Sequence, residues 1–469
     1  MLVAADVDPR PGSLYGHYWV DRPPPLVLTY AAAQDALGVV GPRVLALLLA
    51  AVMVACVHDL VRRALPAADD ATAPARTAAL VAALLWVSPA LTTAAAKGEV
   101  LGAPVAVVAA WAALRALIAP PAAAVGLGLL AGAAAATALG FKQSLVGAAV
   151  LVAVLLVGGR SWRAAAAAVV GAATVATTAL VWVVAGGSDV GTAWHQLVGF
   201  RLDAAGTLAG SAAPATERAA ELAGIALGSG LVLAAAVGLA ARPWRAGGTA
   251  GPLAVATTAA LAVDAAALVA GGSFWRSYLV PLVPWAAVLL GLGLAAAGPG
   301  RVRTAARAAV ALTTAATVVA IISVQVRPAG VVGSATTYRV GQAVGAAAHH
   351  GDTVATLLGG ADVVQAAGLP SAYPHLWSLP ARVLDPRLAD LRRTVRERGA
   401  TWVVEVVPVD GWAGGPQVLR ALDRRYRLVA APCGVRVWLR ADADRPPPTV
   451  TTCDERWLPW RDSLTPAPR

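Results

Sequence analysis

Charge is what this chain most lacks. Only 13% of its residues are Asp, Glu, Lys or Arg, against 58% hydrophobic, and its mean hydropathy is +0.67. A soluble fold of 469 residues needs far more charge to cover its surface, so composition excludes an ordinary soluble protein and points to an integral membrane protein. Lysine is almost missing: Lys97 and Lys142 are the two among 37 basic residues, the arginine-heavy usage of a high-GC genome. Phenylalanine is scarce as well, while Ala, Val, Leu and Gly dominate, so the helices are small-residue helices that pack closely. There is no Walker A sequence, no His/Cys metal pattern and no GxSxG elbow, so the motifs of soluble enzymes are absent.

Apolar runs of roughly 20 residues, enough to cross a bilayer, fall at 42–61, 77–95, 99–118, 122–138, 143–158, 164–186, 221–240, 252–271, 278–298 and 304–325. Their connections alternate in charge. One set carries Arg62, Arg63 and Arg76, then Arg115, then Arg160 and Arg163, then Arg242 and Arg245, then Arg301, Arg303 and Arg307. The other carries Lys97 with Glu99, Lys142, the long segment 187–220, and Arg276. Under the positive-inside rule the first set is cytoplasmic. The net charge of +11 is then loop charge, and nucleic acid is excluded as a partner. The C-terminal tail and residues 1–40 both fall outside the cytoplasm. Either 1–40 crosses as an N-out tail or a first helix stands upstream of Met1. The run "LVAADVD" reads like the interior of a longer sequence and favours the second.

From Gly341 the pattern changes. "DTVATLL" (352–358), "TWVVEVV" (401–407) and "GVRVWLR" (434–440) read as strands, and "DPRLADLRRTVRERG" (385–399) as an amphipathic helix. "GGADVVQ" after the first strand reads as a βα turn, with a phosphate cradle as the alternative. The expected architecture is a polytopic α-helical membrane protein of about ten spans, lacking a first one, with a small C-terminal α/β extracytoplasmic domain. Its parts are an outer loop with a DRPPP element (1–40), a transmembrane helical domain (41–326), the α/β domain (335–442) and an extended tail (443–469). Cys56 falls inside a span as a packing residue. Cys433 and Cys453 fall in the outer domain, where an oxidising compartment permits a bridge that sequence separation alone does not establish.

Sorting the polar residues by side gathers His17, Tyr18, Trp19, Asp21, Arg22, Lys97, Glu99, Lys142, Gln143, Asp189, His195, Arg201, Asp203, Trp275, Arg276 and Tyr278 at the outer face. Polar groups at that boundary must be solvated or paired, and one shared cavity built from several loops accounts for them together. Singly, Trp19, Trp275 and Tyr278 also read as aromatic-belt anchors. Lys142, in "GFKQS", is either a point charge for a phosphate or a side chain snorkelling to headgroups. Asp264 lies within a span, as a functional carboxylate or as the partner of a neighbouring helix.

Three stretches carry a family resemblance. "LYGHYWVDRPPPLVLTYA" resembles the first outer loop of the GT-C superfamily of polytopic lipid-linked-sugar glycosyltransferases, in the branch with protein O-mannosyltransferases and the aminoarabinose transferase. "GFKQS" resembles that branch's mid-chain Lys-Gln element, and "GGSFWRSYLVPLVPWAAVL" its late outer motif. Two departures stand out. Ser277 occupies the usual His position, and the family's acidic pair has no counterpart except Asp6 and Asp8, with no helix before them.

The resemblance implies a hexosyl or pentosyl transferase of the bacterial plasma membrane. It would move a sugar, with inversion, from a polyprenyl-phosphate donor to a glycan, lipid or protein acceptor on the outer side. A carboxylate must serve as base, drawn from Asp6, Asp8 and Asp21. Lys142 and Arg276 would bind the donor phosphate. His17, Tyr18, Trp19, Arg22, Glu99, Gln143, Arg201, Trp275 and Tyr278 would line the cavity. No ligand set for a divalent metal is visible, so its participation stays open. A transporter or flippase, and a catalytically degenerate scaffold, are the competing classes; the first requires inverted repeats and broken midplane helices.

The charge alternation has a direct test. A reporter fused after Arg469 is expected to behave as extracytoplasmic and one placed within 64–74 as cytoplasmic; the reverse pattern would overturn the orientation.

Overall fold

The computed structural model describes residues 12–65, 71–209, 215–297, 300–326 and 335–453. Helix α1 (Pro24–Leu37) starts inside the proline run, with Pro24 and Pro25 in its first turn. There the missing N–H groups have no helical partner to lose and φ is already set. The helices that follow are α2 (Gly41–Ala64), α3 (Thr72–Val87), α4 (Gly98–Ile118), α5 (Pro121–Phe141), α6 (Gly147–Gly158) and α7 (Trp162–Ala185). Short helical pieces, Val190–Trp194 to Phe200–Ala209, then cross one end of the bundle. Helices α8 (Ala215–Gly228), α9 (Leu231–Ala240), α10 (Ala250–Ala270), α11 (Leu282–Ala296) and α12 (Arg301–Val326) complete it.

The chain is a multi-pass membrane protein. Among the described residues, seven helical segments are long and apolar enough to span, or eight if the pair α8–α9, bent by 64°, is one span. Nine of the ten expected runs each overlap one α-helix and the run 221–240 straddles the α8–α9 break; α3 and α6 have only 16 and 12 residues. At 1.5 Å per residue α6 covers about 18 Å, well short of the hydrocarbon core. Composition cannot distinguish such a helix from a span when its flanks are equally apolar. Burial separates the centre from the rim: 67% of the apolar window of α4 and 78% of that of Arg276–Ala296 lie inside the protein, against 22% for α7 and α12.

Small residues set the helix spacing. A Cβ added to Gly128 would stand 2.4 Å from the Ala164 carbonyl oxygen, and one on Gly132 would stand 1.7 Å from that of Ala168. Helices α5 and α7 therefore touch backbone to backbone, as small-xxx-small pairs allow. Asp264 of α10 is also structural: it accepts from the Gly147 amide at 2.8 Å, at the start of α6, and from Trp285 Nε1 at 2.8 Å. An intramembrane carboxylate is tolerated there because the helix N-terminus and the indole donor share its charge.

The C-terminal unit begins with α13 (Ala335–Ala347) and continues through β1 (Val354–Thr356), α14 (Ala361–Ala367), α15 (Ser378–Leu384), α16 (Ala389–Arg393), β2 (Trp402–Glu405), α17 (Gly415–Arg425), β3 (Tyr426–Ala430) and β4 (Arg436–Arg440). The sheet order is β1-β2-β4-β3, with β1 and β2 parallel and the other two pairings antiparallel. Strand β3, whose outward positions break the apolar run, was not legible as a strand. The "GGADVVQ" stretch is the turn into α14, with Gly360 at φ +102°.

Alternation along the strands makes two cores. Val354, Trp402, Val404, Val437 and Leu439 pack on α13, α14 and the loop residues Tyr15, Tyr18 and Val20. Ala355, Val403 and Trp438 pack on Leu391, Val395, Val418 and Leu422 on the opposite face. One sheet face thus rests on the N-terminal loop, and the other is covered by α16 and α17.

The start of the tail is held rather than loose. Arg445 grips the Asp352 carboxylate with both Nε and Nη2 at 3.0 Å, and Trp402 Nε1 donates to it at 3.2 Å. Burial opposes the Asp352 charge, but these donors outweigh it and hold the carboxyl below the usual carboxylate range. A disulfide joins Cys433 to Cys453, 20 residues apart, a loop whose closure is worth about 3 kcal/mol. Cys56 is a free thiol.

Close packing of α5 on α7 predicts a steep response to one added side chain. Gly132→Val should lower stability by about 1–3 kcal/mol, seen as a reduced thermal midpoint in detergent. Gly126→Val, which meets nothing within 4 Å, should leave the midpoint unchanged. Equal midpoints for the two variants would show that α5 and α7 are not held at this spacing.

Candidate functional site

Helices α4 and α5 are joined by a connection of two residues, Ala119 and Pro120, so they run antiparallel. That puts the first turn of α4 level with the last turn of α5, at the end of the bundle that faces the C-terminal unit. Glu99 sits in the first turn of α4 and Lys142 caps α5. Each charge suits its helix end, an anion at the N-terminus and a cation at the C-terminus. They meet as an ion pair, Lys142 Nζ to Glu99 Oε1 at 2.8 Å, with only 7% and 3% of their surfaces exposed. Tyr278 lies over the pair: Lys142 Nζ is 4.4 Å from its ring centroid and 3.5 Å from its hydroxyl.

Glycines let the proline run seat itself beside the pair. A Cβ on Gly140 would stand 2.6 Å from Pro25 Cγ, and one on Gly98 would meet the Phe141 carbonyl oxygen at 2.4 Å. The start of α1 therefore docks on the helix ends that carry Glu99 and Lys142. This brings in Asp21 and Arg22, which form a salt bridge with each other. Gln143 fixes the loop by donating to the carbonyls of Asp21 and Leu197, both at 3.2 Å. Burial works against the Arg22 charge, but Asp21, Glu99 and Tyr278 outweigh it and raise its pKa above the ordinary value. The result is a compact group of two carboxylates, two cations and a phenol.

The walls carry strain. Thr92 and Ala96, in the turn before Glu99, have left-handed backbone at φ +53° and +44°, each costing about 1–3 kcal/mol outside glycine. The Tyr30 hydroxyl donates to the Ala96 carbonyl and holds that turn. Among the described residues, Ser277 Oγ is buried and has no hydrogen-bond partner. An unsatisfied hydroxyl beside Tyr278 is a polar contact left open for a ligand.

Other expected residues are placed elsewhere. Arg276 is exposed and pairs with Glu221 of α8 at 2.5 Å, away from the Glu99–Lys142 pair. Trp275 is exposed, with Lys97 Nζ 5.6 Å from its ring. His17 and Tyr18 turn to the C-terminal unit, contacting the Ser371 carbonyl at 3.1 and 3.2 Å, while Ser371 N donates to the Tyr18 hydroxyl at 2.9 Å. Trp19 packs on Phe200 and Trp377, with centroids 4.1 and 5.5 Å away. These three aromatic residues dock the two units together rather than lining the charged group. His195 pairs with Asp203 at 3.2 Å in the open, and Asp189 caps the Thr192 amide at 2.7 Å. Asp6, Asp8 and the side chain of Arg201 lie outside the described residues.

Two residues of the assembly had escaped attention in the sequence. Gln196, buried, accepts from the Val20 amide at 2.8 Å and donates to the Tyr15 carbonyl at 3.1 Å, so it holds the loop from the other side. Ser371 anchors Tyr18 from the C-terminal unit. Neither stands out: one sits in a polar helix turn, the other in a loop. Among the described residues, no three His, Cys, Asp or Glu side chains come together as metal ligands. A larger concavity of about 1010 Å³ opens between α2 and α3, but its wall is mostly apolar, with His58, Asp59 and Arg62 among its few polar residues.

No protein-family profile and no curated protein matches this chain. Solved structures do share its fold. The crystal structure of ArnT from Cupriavidus metallidurans in the apo state superposes with a TM-score of 0.58 at 13% identity, covering 90% of this chain and 88% of that one. The same protein bound to undecaprenyl phosphate superposes with a TM-score of 0.56 at 14% identity, covering 91% and 89%. The fold, membrane helices and C-terminal unit together, is the ArnT fold.

The buried pair makes a stability prediction independent of any reaction. Glu99→Gln leaves the Lys142 ammonium buried without its counter-charge, at a cost of about 3–5 kcal/mol. The double variant Glu99→Gln with Lys142→Met should recover most of it. Thermal midpoints in detergent read both. A Glu99→Gln midpoint equal to wild type would mean that water or Tyr278 solvates Lys142 unaided.

Proposed function

We propose that this protein is a glycosyltransferase that takes a sugar from a polyprenyl-phosphate donor and transfers it to an acceptor hydroxyl at the outer face of the bacterial plasma membrane. The observation that carries this reading is the buried group Asp21, Arg22, Glu99, Lys142 and Tyr278. It lies at the capped end of a bundle whose fold is shared with a protein crystallised with undecaprenyl phosphate. A fold alone does not imply a function, so the argument rests on the chemistry of the group.

At rest the group is neutral, with each cation matched by a carboxylate. A lipid-linked phosphate arriving there would compete for Lys142 and Arg22, which are better placed for it than Arg276. As the phosphate takes the cations, the carboxylates lose their partners and become available as bases. Asp21, on the loop above the pair, is the assigned base. In the transfer step the acceptor oxygen bonds to the anomeric carbon and its proton passes to Asp21. The bond from that carbon to the phosphate oxygen breaks with its electron pair, and Lys142 and Arg22 stabilise the departing phosphate. Attack opposite the leaving group inverts the centre. Glu99 and Lys142 are too buried to meet a substrate as they stand, so the Asp21–Arg22 loop or the exposed Trp275 must move first. The acceptor is a glycan, lipid or protein hydroxyl.

One observation bears on the transporter alternative, since the α8–α9 break is what a broken span looks like. Its polar group is already spent within the helix: Ser229 Oγ bonds the Ala226 carbonyl at 3.2 Å.

Lys142→Met tests the assignment, because it removes the charge and keeps a long apolar stem. A charge-assisted contact to phosphate is worth roughly 1.5–3 kcal/mol, so apparent donor affinity should fall about ten- to a hundredfold. Lys142→Arg should keep part of it. The measurement is transfer in membranes over a donor titration, with expression matched. The same donor dependence in wild type and Lys142→Met would remove Lys142 from the site.

A further inference from the structure

The face of the C-terminal unit that points away from the N-terminal loop carries a cleft of about 350 Å³ between the α16 segment and α17. Five arginines line it, Arg392 and Arg396 from one side and Arg420, Arg424 and Arg425 from the other, with Gln417. None of the five forms an ion pair among the described residues. By contrast, neighbouring Arg393 is taken up by Asp390 at 2.7 Å, and Arg440 by Asp442 at 2.5 Å. The acids nearest in sequence, Asp423 and Glu397, are exposed and leave the five unneutralised.

The arrangement is mildly unfavourable, although four of the five side chains are exposed to water. Arg392 and Arg396 stand four apart on one helical face, as do Arg420 and Arg424 on the other, and like charges at that spacing destabilise a helix. Three of the five have a simpler account: Arg424 and Arg425 are in the last turn of α17 and Arg392 in that of α16, where the helix carbonyls favour cations. Arg420, in the middle of α17, has no such reason to stand opposite Arg392 and Arg396. The helices cannot turn these side chains apart, since Leu391, Val395, Val418 and Leu422 are locked into the core beneath. Guanidinium groups present paired N–H donors that match phosphate oxygens, and several in one cleft suit an anion with more than one charge.

We propose that this cleft binds the phosphate groups of a phosphorylated glycan of the cell envelope, at a site separate from the Glu99–Lys142 group. It lies on the sheet face opposite the one packed on the N-terminal loop, so a soluble or polymeric anion fits it better than a headgroup in the same bilayer. The assignment takes only the outer placement of this unit from the proposed function. Its test reads binding and not transfer, so either reading can fail while the other stands.

The test uses the full chain purified in detergent and a fluorescent oligo(glycerol phosphate) as probe, with neutral dextran and an oligogalacturonate of equal charge as comparators. Wild type should bind the phosphate oligomer in preference to both. Arg420→Gln with Arg424→Gln should weaken that binding at least tenfold at a thermal midpoint equal to or above that of wild type. Arg420→Lys with Arg424→Lys, which keeps the charge without the forked donors, should fall between. Arg393→Gln, whose guanidinium is already paired, should bind like wild type. Equal affinity in wild type and the double Gln variant would overturn the proposal. So would equal loss in Arg393→Gln, which would indicate attraction to any basic surface, or oligogalacturonate binding as tightly as the phosphate oligomer.

Discussion

Two opposite charges, Glu99 and Lys142, are buried where two apolar helices end, and much of the neighbouring structure serves to keep them there. Separating either from the other inside the protein would expose an uncompensated charge to a medium that solvates it poorly. The pair is held by the antiparallel turn between α4 and α5, which levels their ends, and by Tyr278, which covers the ammonium. The glycines at 98 and 140 then let the proline run approach until Asp21 and Arg22 complete the group. Backbone strain at Thr92 and Ala96 is tolerated in the wall of this group, where the surrounding contacts over-determine it.

The C-terminal unit works as a cap on that arrangement. One face of its sheet is packed by Tyr15, Tyr18 and Val20, so the loop bearing Asp21 and Arg22 is clamped between membrane helices and sheet. Gln143 and Gln196 hold the same loop by its backbone from two directions. A loop tied at so many points cannot lift one residue at a time. Motion that admits a substrate is therefore expected to involve the loop and its aromatic contacts together, on the slower scale of lid opening. The opposite sheet face is free of this duty, and there the chain concentrates arginines that form no ion pair among the described residues.

The polar residues of the sequence fall into two kinds that composition treats alike. Asp264 is an intramembrane carboxylate, yet its oxygens are used by the α6 amide and by Trp285, so it belongs to packing. Lys142 is a cation in the same apolar setting, and its partner is another ionisable side chain rather than an amide or an indole. Arg276 and Lys142 were equivalent as candidates because both lie at the same boundary. They part because α8 supplies Glu221 to one and α4 supplies Glu99 to the other, and only the second pairing is buried.

Periodicity and charge were enough to determine that the chain crosses a membrane many times, and where most of its spanning helices run. The three short motifs marked the regions from which Asp21, Lys142 and Tyr278 come. These are local properties, written in consecutive residues and in the sign of the loops. What only the tertiary structure decided is which charge meets which. Glu99 and Lys142 are 43 positions apart, and Tyr18 and Ser371 lie 353 apart; no local pattern encodes such partners. The same holds for α3 and α6, whose length depends on where neighbouring helices end. It holds for the arginine cleft too, where two ordinary basic helix faces become one site because the sheet beneath turns them toward each other.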